Sequence, residues 1–382
     1  MQQKVTLIFD IGKTNKKYFL FDEDLCEIQS EYVQIPEITD DDGDTADDLT
    51  AVIQWMLSVV EKIKKNQEYE IEFINFSAYG ATLVHLDKYG QPCTPLYNYL
   101  KEFPEKLKSL FVEKHGSLEK WCMQTASPSL GMLNAGLQLF WLKYHKPQLF
   151  GQIHKTLFLP QYLSYVLTGV LTNEYTGIGC HTGMWDFEKN DFHEWMYKED
   201  FTKLFAPISH NSTCFPLKED NNSKTGIGIH DSSAALIPYM KKIAGPFLLL
   251  STGTWSICLN PFNDESLTAT DLANDCLCYL RPDGKQVKAS RYLLGKEFSA
   301  WEQVIANVFD KSENYHHKLK FDSSLYNKAS SITSSVFTSG RNDQSISFTK
   351  ETEPNLESFD NYEEAYHQLV FELALIQREK IY

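Results

Sequence analysis

Alternation of apolar and polar positions opens the chain. Residues 4–9, 17–22 and 26–35 are rich in Val, Ile, Phe and Tyr and predict three successive strands. Leu49, Val52, Ile53, Met56, Leu57, Val60 and Ile63 then recur at helical spacing, predicting an amphipathic helix that ends in a lysine-rich turn. "EIEFINFS" reads as a buried strand, and "TLVHLDKYGQP" as a strand running into a turn. A second long helix is predicted from about Leu133 to Tyr144, with Leu137, Phe140 and Trp141 on its apolar face. Strands first, then strand–helix alternation, indicate an α/β domain with a mixed sheet. Near residue 240 the pattern restarts. "GPFLLLSTGTWSICLNP" is a strand, a Thr252-Gly253-Thr254 turn and a second strand, like the opening "LIFDIGKTNKKYFLF". One such unit per half suggests a duplicated architecture, although two unrelated hairpins account for the pattern equally well.

Size and charge narrow the chemistry. A chain of 382 residues with 42% apolar content can bury a large core, and two domains are expected. The net charge of −15 argues against a nucleic-acid or anionic-membrane surface. Against that background, Lys13, Lys16 and Lys17 beside Asp10, Gly12 and Thr14 stand out. The only arginines are Arg281, Arg291, Arg341 and Arg378. Phosphate bound by the first two-thirds of the chain must therefore meet backbone N–H groups, hydroxyls, lysine or a metal ion. The eight cysteines are scattered and follow no secretory signal, so they read as free thiols in a reducing cytoplasm. No apolar run approaches a membrane span.

Three short stretches carry candidate chemistry. In the first hairpin, Gly12 and Thr14 let N–H groups and a hydroxyl approach phosphate oxygens, and Asp10 could hold Mg²⁺. No Walker-type loop is present, so this is not a P-loop enzyme. In "GIGIHDSSAAL", isoleucines alternate with glycines before His230 and Asp231, and small residues then begin a helix. A carboxylate there could take a proton from an attacking hydroxyl; a helix N-cap aspartate and a satisfied core histidine are the plainer reading. The acidic loop "EITDDDGDTADD" has the wrong ligand phase for a calcium loop and is expected to be a solvated loop.

Taken together, "FDIGKTNKK", "GIHDSSAAL" and "LSTGTWSI" resemble the FGGY family of carbohydrate kinases in order and separation. "SAYGATLVHLDKYGQP", "LPQYLSYVLTG" and "NEYT" are similar to its rhamnulokinase and fuculokinase branch. The resemblance runs over essentially the whole chain. It implies a two-lobed, ribonuclease-H-like (actin/hexokinase-like) α/β fold with ATP in an interlobe cleft. One lobe would span residues 1–238 and the other residues 239–382. It further implies that Asp10 organises the metal. Gly12, Lys13, Thr14, Asn15 and Lys17 would form one phosphate turn, and Thr252, Gly253 and Thr254 the other. Asp231 would be the general base with His230 beside it on the sugar. Tyr79, Gly80, Asn134, Gln138 and Gln161 would fall near the sugar pocket.

The expected activity is Mg-ATP-dependent phosphorylation of a ketose hydroxyl, on fuculose, rhamnulose, xylulose or ribulose. The expected partners are the sugar and ATP, with neither nucleic acid nor membrane, in a cytoplasmic protein for which a homodimer is allowed. Lys13 and Lys17 stand where many relatives have Thr and Arg, and Gln161 stands where close relatives have an acidic residue. The family's glycine-rich adenosine stretch lies beyond "LALIQREKIY", so the second lobe is expected to be incomplete. A nucleotide-regulated binding protein of the same fold, or an inactive fragment, is the alternative. A serine hydrolase is set aside because no Gly-x-Ser-x-Gly elbow occurs.

Overall fold

The computed structural model describes residues 2–253, 255–312, 314–332, 335–337, 340–342, 345–347 and 356–381. The chain divides into two compact units: Met1–Phe247 with Asn260–Lys288, and Leu248–Leu259 with Ala289–Tyr382.

The first unit is organised by a mixed sheet. Its opening strands are β1 (Gln3–Ile11), β2 (Lys16–Phe21) and β3 (Glu27–Val33), which run antiparallel in succession. The strand β4 (Tyr69–Ala78) pairs parallel with β1 on its other side. Beyond β4 lie β6 (Asp220–Gly226), then β5 (Cys214–Leu217), while the short β7 (Ile229–His230) also pairs parallel with β4. Alternation decides which side is buried. Leu7, Phe9 and Ile11 face a core that also takes Ile74 and Phe76, while Thr6, Ile8 and Asp10 point the other way.

Helix α1 (Leu49–Lys65) covers the buried face with Val52, Met56, Val60 and Ile63, and Asp48 caps it by accepting the Ala51 N–H at 2.9 Å. A second apolar cluster forms around Trp121, Phe140, Trp141, Trp195 and Phe201, with α2 (Ala135–His145) at its centre. Helix α3 (Leu159–Thr168) contributes Leu159, Tyr162 and Leu163 to the first core. Helix α4 (Asp231–Lys242) starts immediately after β7.

The acidic loop is not simply solvated. Asp40 is 8% exposed, and Lys101 lies 2.8 Å from Asp40 and from Asp42, while Lys146 reaches Asp41 at 2.6 Å and Asp42 at 2.7 Å. Both ammonium groups also sit over the Tyr97 and Trp141 rings. Side-chain cations from distant sequence take the place that the loop's charge would offer to a metal, which no local ligand spacing could have shown.

The second unit contains the antiparallel pair β8 (Leu249–Ser251) and β9 (Ser256–Asn260) and the helices α5 (Leu294–Val308), α6 (Ser323–Ser331) and α7 (Tyr362–Ile381). Its core gathers Trp301, Ile305, Tyr362, Ala365 and Leu369. Two buried acids stitch it: Glu302 accepts from the Tyr362 hydroxyl at 2.7 Å, and Glu372 accepts the Val336 and Phe337 N–H groups at 2.9 Å each.

Candidate active site

Strand register brings the first unit's polar groups together. Asp10 stands opposite Ser77, and Ser77 stands opposite Ile229; Ile11, Ala78 and His230 form the next row. Three parallel strands therefore end flush, and open sheets bind ligands beyond such carboxyl ends. Asp231 follows at the first position of α4, where the helix N-terminus favours negative charge.

The Asp231 carboxylate is partly exposed and is oriented from one side only. Its Oδ1 accepts the Ser232 N–H at 2.6 Å and the Ser232 hydroxyl at 3.2 Å, and the His230 Nε2 lies 3.2 Å from the same oxygen. Among the described residues Oδ2 takes no hydrogen bond. His230 is buried, with Nε2 3.2 Å from Cys180 Sγ and Nδ1 3.3 Å from Ser233 Oγ. Burial lowers its pKa, which the Asp231 charge offsets only in part, so the imidazole is neutral near pH 7. Gly80 is required beside it. A Cβ there would come within 2.9 Å of both the His230 Nε2 and the Cys180 Sγ.

Asp10 lies within electrostatic reach of Asp231. Burial raises its pKa, Lys17 at 3.7 Å pulls it back, and the Asp231 charge pushes it up again. Lys17 pairs with Asp10 across the β1–β2 register and lies over the Tyr32 ring. Gly12 closes the intervening turn, its N–H donating to the Asn15 carbonyl at 3.0 Å, while Thr14 and Asn15 are exposed.

The other two lysines of the turn point elsewhere. Lys13 Nζ donates to Asp47 Oδ2 at 2.5 Å and lies 3.1 Å from Glu37, and Lys16 Nζ is 3.3 Å from Asp47 Oδ1. Tyr79, whose own N–H donates to the Ile11 carbonyl, sends its hydroxyl to Asp47 Oδ2 at 2.8 Å. Burial pushes the Asp47 pKa up, but these donors outweigh it and hold the carboxyl below its ordinary value. Burial drives the Tyr79 phenol well above its normal range, and Asp47 adds to this.

Asp47 and Tyr99 escaped the sequence reading. Tyr99 lies against Tyr79 and Lys13; burial raises its phenol pKa, and the Asp231 charge also contributes. A lone Asp before a helix, or a Tyr in "LYNYL", carries no local signal.

Asn134, Gln138 and Gln161 are buried backbone clamps. Asn134 donates to Pro128 and His181 carbonyls and accepts from the Leu130 N–H. Gln138 donates to Ala81 and Met132 carbonyls at 2.8 and 2.7 Å. Gln161 Nε2 donates to Ile227 and Gly228 carbonyls at 3.2 and 3.1 Å, which ties α3 to the segment leading into His230 and Asp231. The structure thus groups Asp10, Lys17, Gly80, His230 and Asp231, and sets these three amides behind them. Thr252 and Gly253 join β8 to β9 in the second unit; Thr254 lies outside the described residues.

A model of the FGGY carbohydrate-kinase N-terminal domain matches residues 5–203, and one of the carbohydrate kinase FGGY C-terminal domain matches residues 244–358. The chain belongs to the FGGY family of carbohydrate kinases. Among FGGY relatives, a rhamnulokinase of Halalkalibacterium halodurans is 25% identical over 213 residues, 51% of this chain and 43% of the relative. A rhamnulokinase of Mannheimia succiniciproducens is 24% identical over 240 residues, 60% of this chain and 48% of the relative. The match spans less than half the length of each of these two curated relatives. The solved structure of a carbohydrate kinase from Novosphingobium aromaticivorans has a TM-score of 0.78 at 23% identity, covering 98% of this chain and 82% of that one. The fold is accordingly the two-domain, actin/hexokinase-like α/β fold of FGGY proteins. Among the described residues no helix is long and apolar enough to cross a membrane.

Proposed function

We propose that this chain carries the active site of an ATP-dependent kinase that phosphorylates a hydroxyl of a ketose of the rhamnulose or fuculose kind, with Asp231 as general base. The observation that carries the reading is the one-sided orientation of Asp231. Oδ1 is occupied by Ser232 and faced by His230, so Oδ2 is the acceptor left for a substrate hydroxyl. Two curated relatives named rhamnulokinase support the sugar class.

In the reaction, the sugar oxygen attacks the γ-phosphorus of ATP in line while its proton passes to Asp231 Oδ2. The bond between the γ-phosphorus and its bridging oxygen breaks, and ADP departs. Such transfer needs positioning and charge neutralisation more than covalent help. The N–H groups of Lys13, Thr14 and Asn15, the Thr14 hydroxyl and the ammonium of Lys17 suit phosphate oxygens. Asp10 fits a divalent cation, because a partly buried carboxylate next to Asp231 is compensated by Lys17 alone only at 3.7 Å. Mg²⁺ held there would neutralise phosphate charge.

Asp231→Asn tests the assignment. In an assay of ADP release across a ketose and polyol panel, the substitution is expected to lower kcat by about 10²- to 10⁴-fold while the fold is kept. Undiminished turnover would remove Asp231 from the role. ADP release that ignores the presence of any sugar would instead favour a nucleotide-regulated binding protein.

A further inference from the structure

We infer that Asp47 is a positioning residue shared by the two halves of this site, tying the phosphate turn to the sugar-side corner at Tyr79 and Gly80. The inference rests on the kinase reading above. Its physical basis is one carboxylate, 6% exposed, that serves three donors from two segments. Lys13 and Tyr79 share Oδ2 at 2.5 and 2.8 Å, and Lys16 approaches Oδ1 at 3.3 Å. Lys16 also donates to the Lys13 carbonyl at 3.0 Å, so the same ammonium braces the turn's backbone.

On the other side, the Tyr79 N–H is bonded to the Ile11 carbonyl, and the next residue, Gly80, leaves no room for a Cβ, which would come within 2.9 Å of the His230 Nε2. A shift of the carboxylate is therefore felt at Gly12–Lys16 and at the backbone against which His230 packs. Asp47 itself cannot drift, because it ends the strand Thr45–Asp47 and the following residue caps α1. Buried networks of this kind couple their members more strongly than isolated pairs do. Asp47 contacts none of the reacting groups named above, so its effect is on placement. Lys13, one of the two lysines assigned to phosphate from sequence, is held with Lys16 as a frame for the turn, and the other, Lys17, stands beside Asp10.

The test uses the full chain and four variants: Asp47→Asn, Asp47→Glu, Tyr79→Phe and the Asp47→Asn/Tyr79→Phe pair. MgADP affinity is read by calorimetry, and sugar KM and kcat by ADP release. Asp47→Asn is expected to weaken MgADP binding and raise sugar KM by about tenfold each, with kcat changed less than about threefold. Tyr79→Phe is expected to raise sugar KM while leaving MgADP affinity within about twofold, and the pair to be no worse than Asp47→Asn alone. Asp47→Glu, which restores the charge, is expected to recover MgADP affinity. Should Asp47→Asn fail to fold, the same non-additivity is sought between Tyr79→Phe and Lys13→Met.

Unchanged constants in Asp47→Asn, a loss confined to kcat, or additive effects overturn the inference. Calorimetry needs no turnover, so the two readings fail separately. A chain that binds MgADP, loses affinity in Asp47→Asn and phosphorylates no sugar refutes the kinase and keeps Asp47 as anchor of the nucleotide turn. A chain that phosphorylates a ketose equally well with and without the Asp47→Asn substitution refutes the inference alone. A chain with neither binding nor turnover refutes both.

Discussion

At the carboxyl edge of the first unit's sheet, the turn from Gly12 to Asn15 is anchored by charge, whereas the bend from Gly226 to Gly228 is anchored by neutral groups. The first hangs on Asp47 through Lys13 and Lys16. The second is held by Ser164 donating to the Gly226 carbonyl at 2.8 Å, by Gln161 donating to the Ile227 and Gly228 carbonyls, and by Asn75 accepting the Gly228 N–H at 3.0 Å. Two residues further on, the His230 N–H donates to Thr176 Oγ1 at 3.0 Å. A lysine on a long stem can follow a ligand through a small movement, whereas short neutral bonds cannot. The contrast matches the tasks proposed for the two segments. Under that proposal one would receive a phosphate tail, and the other would hold a base within hydrogen-bond reach of a hydroxyl.

The neutral bend should be the less forgiving of the two. Gly228 has φ of +79°, and a Cβ there would stand 2.6 Å from the Pro160 carbonyl oxygen. Gly228→Ala therefore meets both a left-handed backbone and a backbone clash, and is expected to cost roughly 3 kcal/mol or more. Urea unfolding with an unchanged m-value reads this loss. A cost below about 1 kcal/mol would mean that the bend yields, and the contrast with the lysine turn would be lost.

The neutral clamp contains one titratable member. Glu174 is fully buried and accepts the Thr176 N–H at 2.8 Å, the Thr176 hydroxyl at 2.6 Å and the Gly177 N–H at 2.7 Å. Burial pushes its carboxyl up from 4.5 to about 7, against the pull of those three donors. The sign follows from proton counting. Between about pH 4.5 and 7 the folded protein holds a proton that the unfolded chain has released, so stability falls as pH rises through that window and is level on either side. The total is on the order of 3 kcal/mol. Glu174→Gln should flatten the slope, measured as the difference between wild-type and variant unfolding free energies across pH 4 to 8. An unchanged slope would place the titration elsewhere.

Elements with local causes were readable from sequence. The strand expected over 26–35 is Glu27–Val33, the helix beginning at Leu49 runs to Lys65, and the second helix is Ala135–His145. The alternation in "GIGIH" runs without a visible interruption, yet the structure breaks the stretch at Gly228, where a positive φ separates β6 from β7. The candidate residues sort by the same rule. Asp10, Gly12 and Lys17 belong to one hairpin, and His230 and Asp231 are neighbours, so a short motif displays them. Asp47 finds its partners 31 to 34 positions away, and Gln161 finds its carbonyls 66 and 67 positions away. Nothing in a window around either residue announces those distances. The local sequence of Gln161 does not show that its Nε2 pins a backbone; only the packing of α3 against the strand does.

The smallest effect is expected on the charged side, and it is the sharpest check of what kind of anchor Asp47 provides. Lys13→Met keeps the stem of the side chain and removes one ammonium, leaving Asp47 with Lys16 and the Tyr79 hydroxyl. The buried carboxylate is thus not abandoned, and the loss should be only about 0.5–1 kcal/mol, as for a partly exposed ion pair. Its pH dependence is constrained from both ends. The Asp47 pKa is held below 3.8, so its contribution is present above that value and lost only as pH falls through the lower folded one. Burial lowers the Lys13 pKa, but Asp47 and Glu37 more than restore it. Its contribution is therefore present below 10.5 and lost only as pH rises through the folded value. The difference between wild type and Lys13→Met should then be constant from about pH 5 to 9, in contrast to the Glu174 window. A difference that varies within that range would mean that a group titrating there, and not the ammonium–carboxylate pair, carries the turn.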